Sequence, residues 1–597
     1  MEEQNNTLPI ERIKRLSAVR QEVLGLPPEK TIQRILEEPH PAALVHSFPE
    51  EDFYFLLHGI GPDDAGPLLK LANEKQWEYV LDHDIWHRDR IQMPSATHWL
   101  NLLTKADPQR LVRWVYQEKS EFIKLFLHHV IEVKVREHDQ DPSELGKDFH
   151  TFDDVYYYRF LPAPPDPWEE EKSGLDREKV ITRLLDFLAD HDHARFQTFL
   201  LESGRILPAE AEEELFRQRN VRLAEKGFLP FDEAIGVYQS LRPEDLARQS
   251  QKTIRHEPDA ILDVQVPQVS AEMLEDDNLF TRGLRAVASE DILFQLQAEF
   301  AGLCNRLLSA DQMQVRDREQ LRVAVQKASG YIHIGLSSLI DETDRRRAGG
   351  RAARILERYS LIHLFRIGFG QVLALKWSAE QWRRESWFER AGLPLSFWDE
   401  DWIGVLGGLF LKKPLFFDRT ATGQRYREFR TETDVDHTAA QLNGIIALDH
   451  LFSRMDTRIA FKPGQFLTHK KLILTLWARR CLGLDAVGTP APTDPSLSLA
   501  EFTTFFKELF SDASEGRPLR RKHIGGSMKT AFLEWTSEKS GMTAAEISET
   551  LGIFFENIFQ ELEEELGEVP SDGLDPRFVS LFLVRPETDA GGPESSD

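Results

Sequence analysis

The residue types best suited to chemistry crowd together at positions 82–89, DHDIWHRD. Asp82, His83, Asp84, His87 and Asp89 supply carboxylate and imidazole groups, the oxygen and nitrogen donors that hold divalent metals. His83 and His87 stand at i, i+4, and Asp84 stands at i, i+3 from His87. On a single helix they share a face. No Glu follows the first histidine, so the metalloprotease pattern is absent. The competing reading is a polar helix end and a turn around Trp86.

Two further pairs, Asp436 with His437 and Asp449 with His450, match the dipeptides of metal-dependent phosphohydrolases. Thirteen residues at about 100° each leave the pairs some 140° apart on one helix, so they converge only if the helix breaks at Gly444. His191, Asp192 and His193 fall at a helix end, where the dipole favours an imidazole as a cap. Two basic clusters offer anion or partner contacts. One is Arg345, Arg346 and Arg347, with Arg351 and Arg354, around Gly349 and Gly350. The other is Arg521 and Lys522, with Arg517, Arg520 and Lys529, around Gly525 and Gly526. Neither is a P-loop, because GGSMKT lacks the first glycine and the Gly-Lys-Ser/Thr order. In an acidic chain such runs also dock acidic segments of the same molecule or stay solvated. No nucleophile elbow, C-x-x-C pair or dinucleotide-binding glycine motif is present.

The elements that position these groups read as helices. In residues 48–81, Phe53, Leu56, Leu57 and Ile60 fall at i, i+3, i+4, i+7, one face of a helix. Glu50, Glu51 and Asp52 occupy its first turn, where the positive dipole end favours acids. Gly59 and Gly61 mark its end. Pro67 leaves two readings open: a kinked helix, or a turn over 63–66 and a new helix from Pro67. Asn73 is the expected N-cap of a third helix, with Trp77, Val80 and Leu81 facing inward. Rods this short are marginal alone and must stack to bury their apolar faces, the logic of a helical repeat.

Further stripes follow at Trp99, Leu102, Leu103; at Leu111, Trp114, Val115; and at Phe122, Leu125, Phe126, Val130. The proline restarts are too irregular for any fixed-period repeat. Later stripes are longer. One runs from Leu321 to Leu339 and another from Ile355 to Leu373. Ser498 with Glu501 and Thr543 with Glu546 form capping-box starts.

The predicted fold is therefore all-α. It has short stacked, superhelical helices in the N-terminal part, a longer-helix bundle in the C-terminal half, and a short β arm near 149–160. The predicted organisation is a helical arm over 1–36, a helical repeat domain over 37–137 and a Pro-rich linker or arm over 138–176. A helical segment over 177–247, a linker over 248–278, a C-terminal helical domain over 279–585 and a disordered tail over 586–597 complete it.

Composition narrows the function classes. With 73 Lys and Arg against 99 Asp and Glu, the net charge is −26, which repels phosphate and argues against nucleic acid or an anionic membrane surface. Cys304 and Cys481, the 2 cysteines, build no disulfide framework and read as buried thiols in a reducing compartment. The N-terminus lacks a signal-peptide core, and the most apolar run, 361–377, is interrupted by His363, Arg366 and Lys376. A cytoplasmic protein without a membrane span is expected.

Residues 48–89, FPEEDFYFLLHGIGPDDAGPLLKLANEKQWEYVLDHDIWHRD, resemble the cytosolic N-terminal helical domain of bacterial magnesium transporters. That domain is itself related to the helical modules of a flagellar motor switch protein. The likeness covers roughly 37–130. The passages RLAEKGFLPFDEAIGVY (222–238) and IHIGLSSLIDE (332–342) resemble an uncharacterised bacterial family, a domain of unknown function, over most of the chain. The transporter's membrane domain has no counterpart, so transport is not implied. The resemblance implies no cofactor beyond a weakly held divalent cation, for which Asp82, His83, Asp84 and His87 are the ligand candidates.

Three readings follow. The leading one is a cytoplasmic helical-repeat scaffold or regulator with a protein partner. The alternatives are a metal-sensing protein and an enzyme with a pocket among the C-terminal helices.

Overall fold

Proline and short polar caps start the helices, and apolar stripes at helical spacing decide how they pack. A computed structural model describes residues 15–16, 18–162, 177–252, 273–274, 276–313, 318–340, 347–455, 467–484, 494–510 and 522–585. The chain forms two units, Met1–Gly368 and Phe369–Asp597. The fold is all-α, with a few short strands in small sheets.

In the first unit, short helices follow one another at Pro28–Leu36, Pro41–His46, Glu50–Ile60, Gly66–Leu71 and Glu74–Asp84. Pro67 sits in the first turn of Gly66–Leu71, which settles the ambiguity in favour of a new helix. Asn73 caps Glu74–Asp84 in a reciprocal capping box with Gln76. Gly61, at φ +101°, ends Glu50–Ile60. Met93–Ala106, Pro108–Gln117 and Ser120–Val130 continue the stack. The helices up to Asp84 pack mainly on near neighbours in the chain, Glu50–Ile60 on Glu74–Asp84 and Gly66–Leu71 on Met93–Ala106, while Met93–Ala106, Pro108–Gln117 and Ser120–Val130 also pack on helices over 177–225.

The β arm is a three-stranded antiparallel sheet. Tyr156–Phe160 is its central strand, between His150–Thr151 and Ile131–Val135, and Ile131 pairs with Phe160. Of the expected linkers, residues 163–176, 253–272 and 275 lie outside the described residues, as do the tail 586–597 and residues 1–14.

Helices Arg177–His191, His193–Ser203 and Pro208–Glu225 pack back on the stack. Glu290–Ala310, Arg318–Ser337 and Ala348–Arg358 follow, and Leu361–Glu385 then carries the chain into the second unit. Within the first unit, Arg318–Ser337 meets the start of Leu361–Glu385 backbone to backbone. A Cβ on Gly335 would collide with the Leu364 carbonyl oxygen, and one on Gly368 with that of Tyr331.

The second unit packs Asp399–Phe410, Glu432–Arg454, His469–Cys481, Leu499–Leu509, Gly526–Ser540 and Ala544–Leu566 around Trp398, Trp477, Phe502, Phe532 and Phe559. Ser498 with Glu501 and Thr543 with Glu546 form the capping boxes read from the sequence. Among the described residues no helix is long and apolar enough to cross a membrane.

Candidate functional site

The acidic first turn of Glu50–Ile60 is where the structure departs most from a solvated helix start. Glu51 is 6% exposed and Asp52 is fully buried. Lys226, just past the end of Pro208–Glu225, reaches this turn, with Nζ 2.7 Å from Glu50 Oε2 and 3.6 Å from Glu51 Oε2. The Glu51 oxygen is sealed from solvent and has no hydrogen-bond partner among the described residues. Burial pushes the Glu51 carboxyl up to about 7, against the pull of Lys226.

Glu51 and Lys226 form one wall of a cleft of about 420 Å³, within the range of small-molecule sites. The opposite wall comes from Glu290–Ala310 through Glu299, Gly302, Asn305 and Arg306, and from Ser360 and Ile362 at the start of Leu361–Glu385. At the base, Gly227 adopts φ +88° and its Cα lies so close to Gly302 that a Cβ would stand 2.7 Å from the Gly302 carbonyl oxygen. A Cβ on Gly302 itself meets nothing within 4 Å.

Most polar groups of the cleft are engaged. Asn305 Nδ2 donates to the Lys226 carbonyl at 2.7 Å. Glu299 Oε1 accepts from Ser360 Oγ at 2.7 Å and the Leu361 amide at 2.6 Å, while its other oxygen pairs with Lys252. Glu299 therefore caps the incoming helix. Arg306 lies near Arg366, whose guanidinium is depressed by burial and then by Arg306. Arg366 donates to the Gly236 carbonyl at 2.8 Å.

A second polar cluster lies one turn along Glu50–Ile60. Tyr54 Oη donates to Asp84 Oδ1 at 2.7 Å, and His58 Nε2 lies 2.9 Å from Asp84 Oδ2. His83 packs with its ring centroid 5.3 Å from that of Tyr54, 4.5 Å from Tyr79 and 4.8 Å from Phe228. Its Nε2 is enclosed without a hydrogen-bond partner. Burial, reinforced by Arg219, holds its imidazole down to about 3, so it is neutral. Arg222 grips Asp82 bidentately, Nε to Oδ2 at 2.8 Å and Nη2 to Oδ1 at 2.7 Å. Arg219 Nε donates to the Asp82 carbonyl at 2.5 Å.

The DHDIWHRD residues thus do not share one helix. The helix ends at Asp84, and His87 sits exposed on the strand Trp86–His87, paired with Arg90. The physical reason is that Trp86 and Ile91 are buried on the same side of a tight hairpin. Among the described residues no group of three or more His, Cys, Asp or Glu side chains is placed to hold a metal.

Glu432–Arg454 runs unbroken through Gly444, so Asp436 with His437 and Asp449 with His450 stay on separate faces. Asp449 instead accepts from the amides of Trp387 and Phe388 at 3.1 and 2.8 Å. His191 closes one helix and Asp192 caps the next, accepting from the Arg195 amide at 3.0 Å.

Of the basic candidates, Arg345, Arg346 and Arg521 lie outside the described residues. Arg347 is exposed at the N-cap of Ala348–Arg358. Lys522 donates to the Val569 carbonyl at 3.1 Å and lies over Phe506. Cys304 is fully buried and its thiol is pushed up by burial.

Sequence reading passed over Glu51, Lys226, Arg306 and Glu299. No local signal sets them apart, since Glu51 stands among three first-turn acids that the helix dipole favours in any case. Segment 222–238, which carries the family likeness, supplies Ala224, Glu225, Lys226 and Gly227 to the cleft. No curated protein and no solved structure matches the chain. Residues 10–585 match the Family of unknown function (DUF6178), and the chain belongs to that family over nearly its whole length.

Proposed function

We propose that the protein is a cytoplasmic helical scaffold whose first unit receives a small molecule. The observation that supports the reading is Glu51: a carboxyl 6% exposed, with a sealed oxygen lacking a hydrogen-bond partner among the described residues, on the wall of a cleft of about 420 Å³. Lys226 reaches that oxygen only at 3.6 Å, and leaving a buried acceptor without a hydrogen bond costs about 1–3 kcal/mol, which a ligand donor recovers. Perturbed acids at a cleft mark binding or catalytic sites. The stacked short helices support the scaffold half of the reading, with a protein as partner and the ligand as regulator.

The test is native mass spectrometry of the full chain purified without denaturation, beside Gly302→Leu, whose side chain grows into the cleft. A retained compound lost in Gly302→Leu supports the reading. Equal retention by both proteins, or none from a broad metabolite mixture, refutes it.

The metal reading must displace existing partners. Asp82 is held by Arg222, and Asp84 by Tyr54 and His58. Elemental analysis of the purified chain decides it, a stoichiometric divalent metal being the supporting result. The likeness to the magnesium-transporter domain rests on chained helix starts and carries no residue role.

A further inference from the structure

Among the polar side chains lining the cleft, two are left with unmet demands after the internal pairs are assigned. Glu299 is taken by Ser360, the Leu361 amide and Lys252. Lys226 is held by Glu50 at 2.7 Å and reaches Glu51 Oε2 at 3.6 Å, an ion pair without a hydrogen bond, and the Asn305 amide is taken by the Lys226 carbonyl. Glu225 is exposed to water. Glu51 keeps an oxygen with no hydrogen bond among the described residues. Arg306, half-buried, makes no ion pair or hydrogen bond among them, and its charged neighbour is another arginine, Arg366.

The two are of opposite sign and line the same cleft, yet they do not pair with each other. A carboxylate wants a donor, best an ammonium, and a guanidinium wants a carboxylate or phosphate, which it binds through its planar fork. A simple anion would answer Arg306 and leave Glu51 unmatched. A simple cation would do the reverse and leave Arg306 without an anion.

We infer that the cleft binds a small zwitterion, with its carboxylate or phosphate on Arg306 and its ammonium on Glu51. The inference rests on the ligand-binding reading above and assigns the class of ligand.

The experiment is calorimetric titration of the full chain with four probes. Inorganic phosphate carries the anion alone and ethanolamine the cation alone. O-phosphoethanolamine and β-alanine carry both, one with phosphate and one with carboxylate. Binding of either zwitterion about tenfold or more tighter than both halves is expected, each charge-assisted contact sufficing for that factor. The tighter of the two zwitterions names the anionic group. Arg306→Gln and Glu51→Gln, checked for folding by circular dichroism, are each expected to bring the zwitterion down to the level of a half.

Phosphate binding as tightly as O-phosphoethanolamine, or zwitterion binding untouched by Arg306→Gln, overturns the inference. So does the absence of binding by both zwitterions. Gly302→Leu separates the two levels. Loss of a retained non-zwitterionic compound in that variant keeps the cleft as a site and rejects the ligand class. Probe binding unchanged in that variant rejects both.

Discussion

Lys226 Nζ stops 3.6 Å from Glu51 Oε2 because Glu50 already holds it at 2.7 Å. One ammonium thus serves two adjacent carboxylates unequally. Glu50 is held below its ordinary value by Lys226 despite its burial, whereas Glu51 is raised to about 7 by burial.

This inequality sets a pH dependence. Glu51 titrates near 7 folded and near its ordinary 4.5 unfolded. Between those values the folded chain binds the extra proton, so this group's contribution to stability falls as pH rises through that window, then levels off. Urea unfolding is expected to show Glu51→Gln gaining on the parent by up to about 3 kcal/mol between pH 4.5 and pH 8. An identical difference at both pH values rejects the assignment.

His83 acts with the opposite sign. Its imidazole titrates near 3 folded, against 6.5 for the free side chain. The unfolded chain takes up the proton first, so stability is lost as pH falls from 6.5 toward 3. His83→Phe keeps an aromatic among Tyr54, Tyr79 and Phe228 and is expected to flatten the acid limb of the melting-temperature profile. Making the change in the Glu51→Gln background separates the two overlapping windows.

Arg222→Met removes both hydrogen bonds to the Asp82 carboxylate, which is 7% exposed. A loss of about 2–3 kcal/mol is expected, below the full cost of breaking a buried pair because Arg222 is 33% exposed. Adding Asp82→Asn should restore part of it. A double-mutant cycle with no coupling energy would show that the pair does not hold the Pro208–Glu225 helix to the stack.

Glycines divide into tight and open sites. Gly335→Ala and Gly368→Ala each drive a Cβ into a carbonyl oxygen of the facing helix. Each is expected to lose about 2 kcal/mol or more by chemical denaturation. Gly59 lies within a helix with nothing within 4 Å of its Cβ position. Gly59→Ala should gain about 0.5–1 kcal/mol. Equal effects at the three sites would contradict the close helix crossing.

The legible parts of the fold were those decided within a few residues. Asn73, Ser498 and Thr543 announce their helices because a cap and its partner lie three residues apart. The sheet was half legible. The aromatic run at Tyr156 stood out, whereas Ile131, Val133 and Val135 alternate in five residues directly after a helical stripe. The cleft was not legible. Glu51 meets Lys226, and Gly227 meets Gly302, across long sequence separations, and nothing local distinguishes Glu51 from an ordinary first-turn acid. His83 misled for the same reason: its neutrality comes from Phe228 and Arg219, far along the chain.

The stack between Pro28 and Val130 has a bearing on how the chain acquires order. Nearly every rod, Ser120–Val130 excepted, is begun by its own proline or cap, and those before Met93 lean mainly on one that precedes or follows closely. The early rods can settle on one another as they are made, whereas Met93–Ala106, Pro108–Gln117 and Ser120–Val130 complete their packing only when the helices over 177–225 have emerged. Lys226 then joins the Glu50 turn from outside the stack, and the cleft is complete only when Glu290–Ala310 and Ser360 have added its other wall.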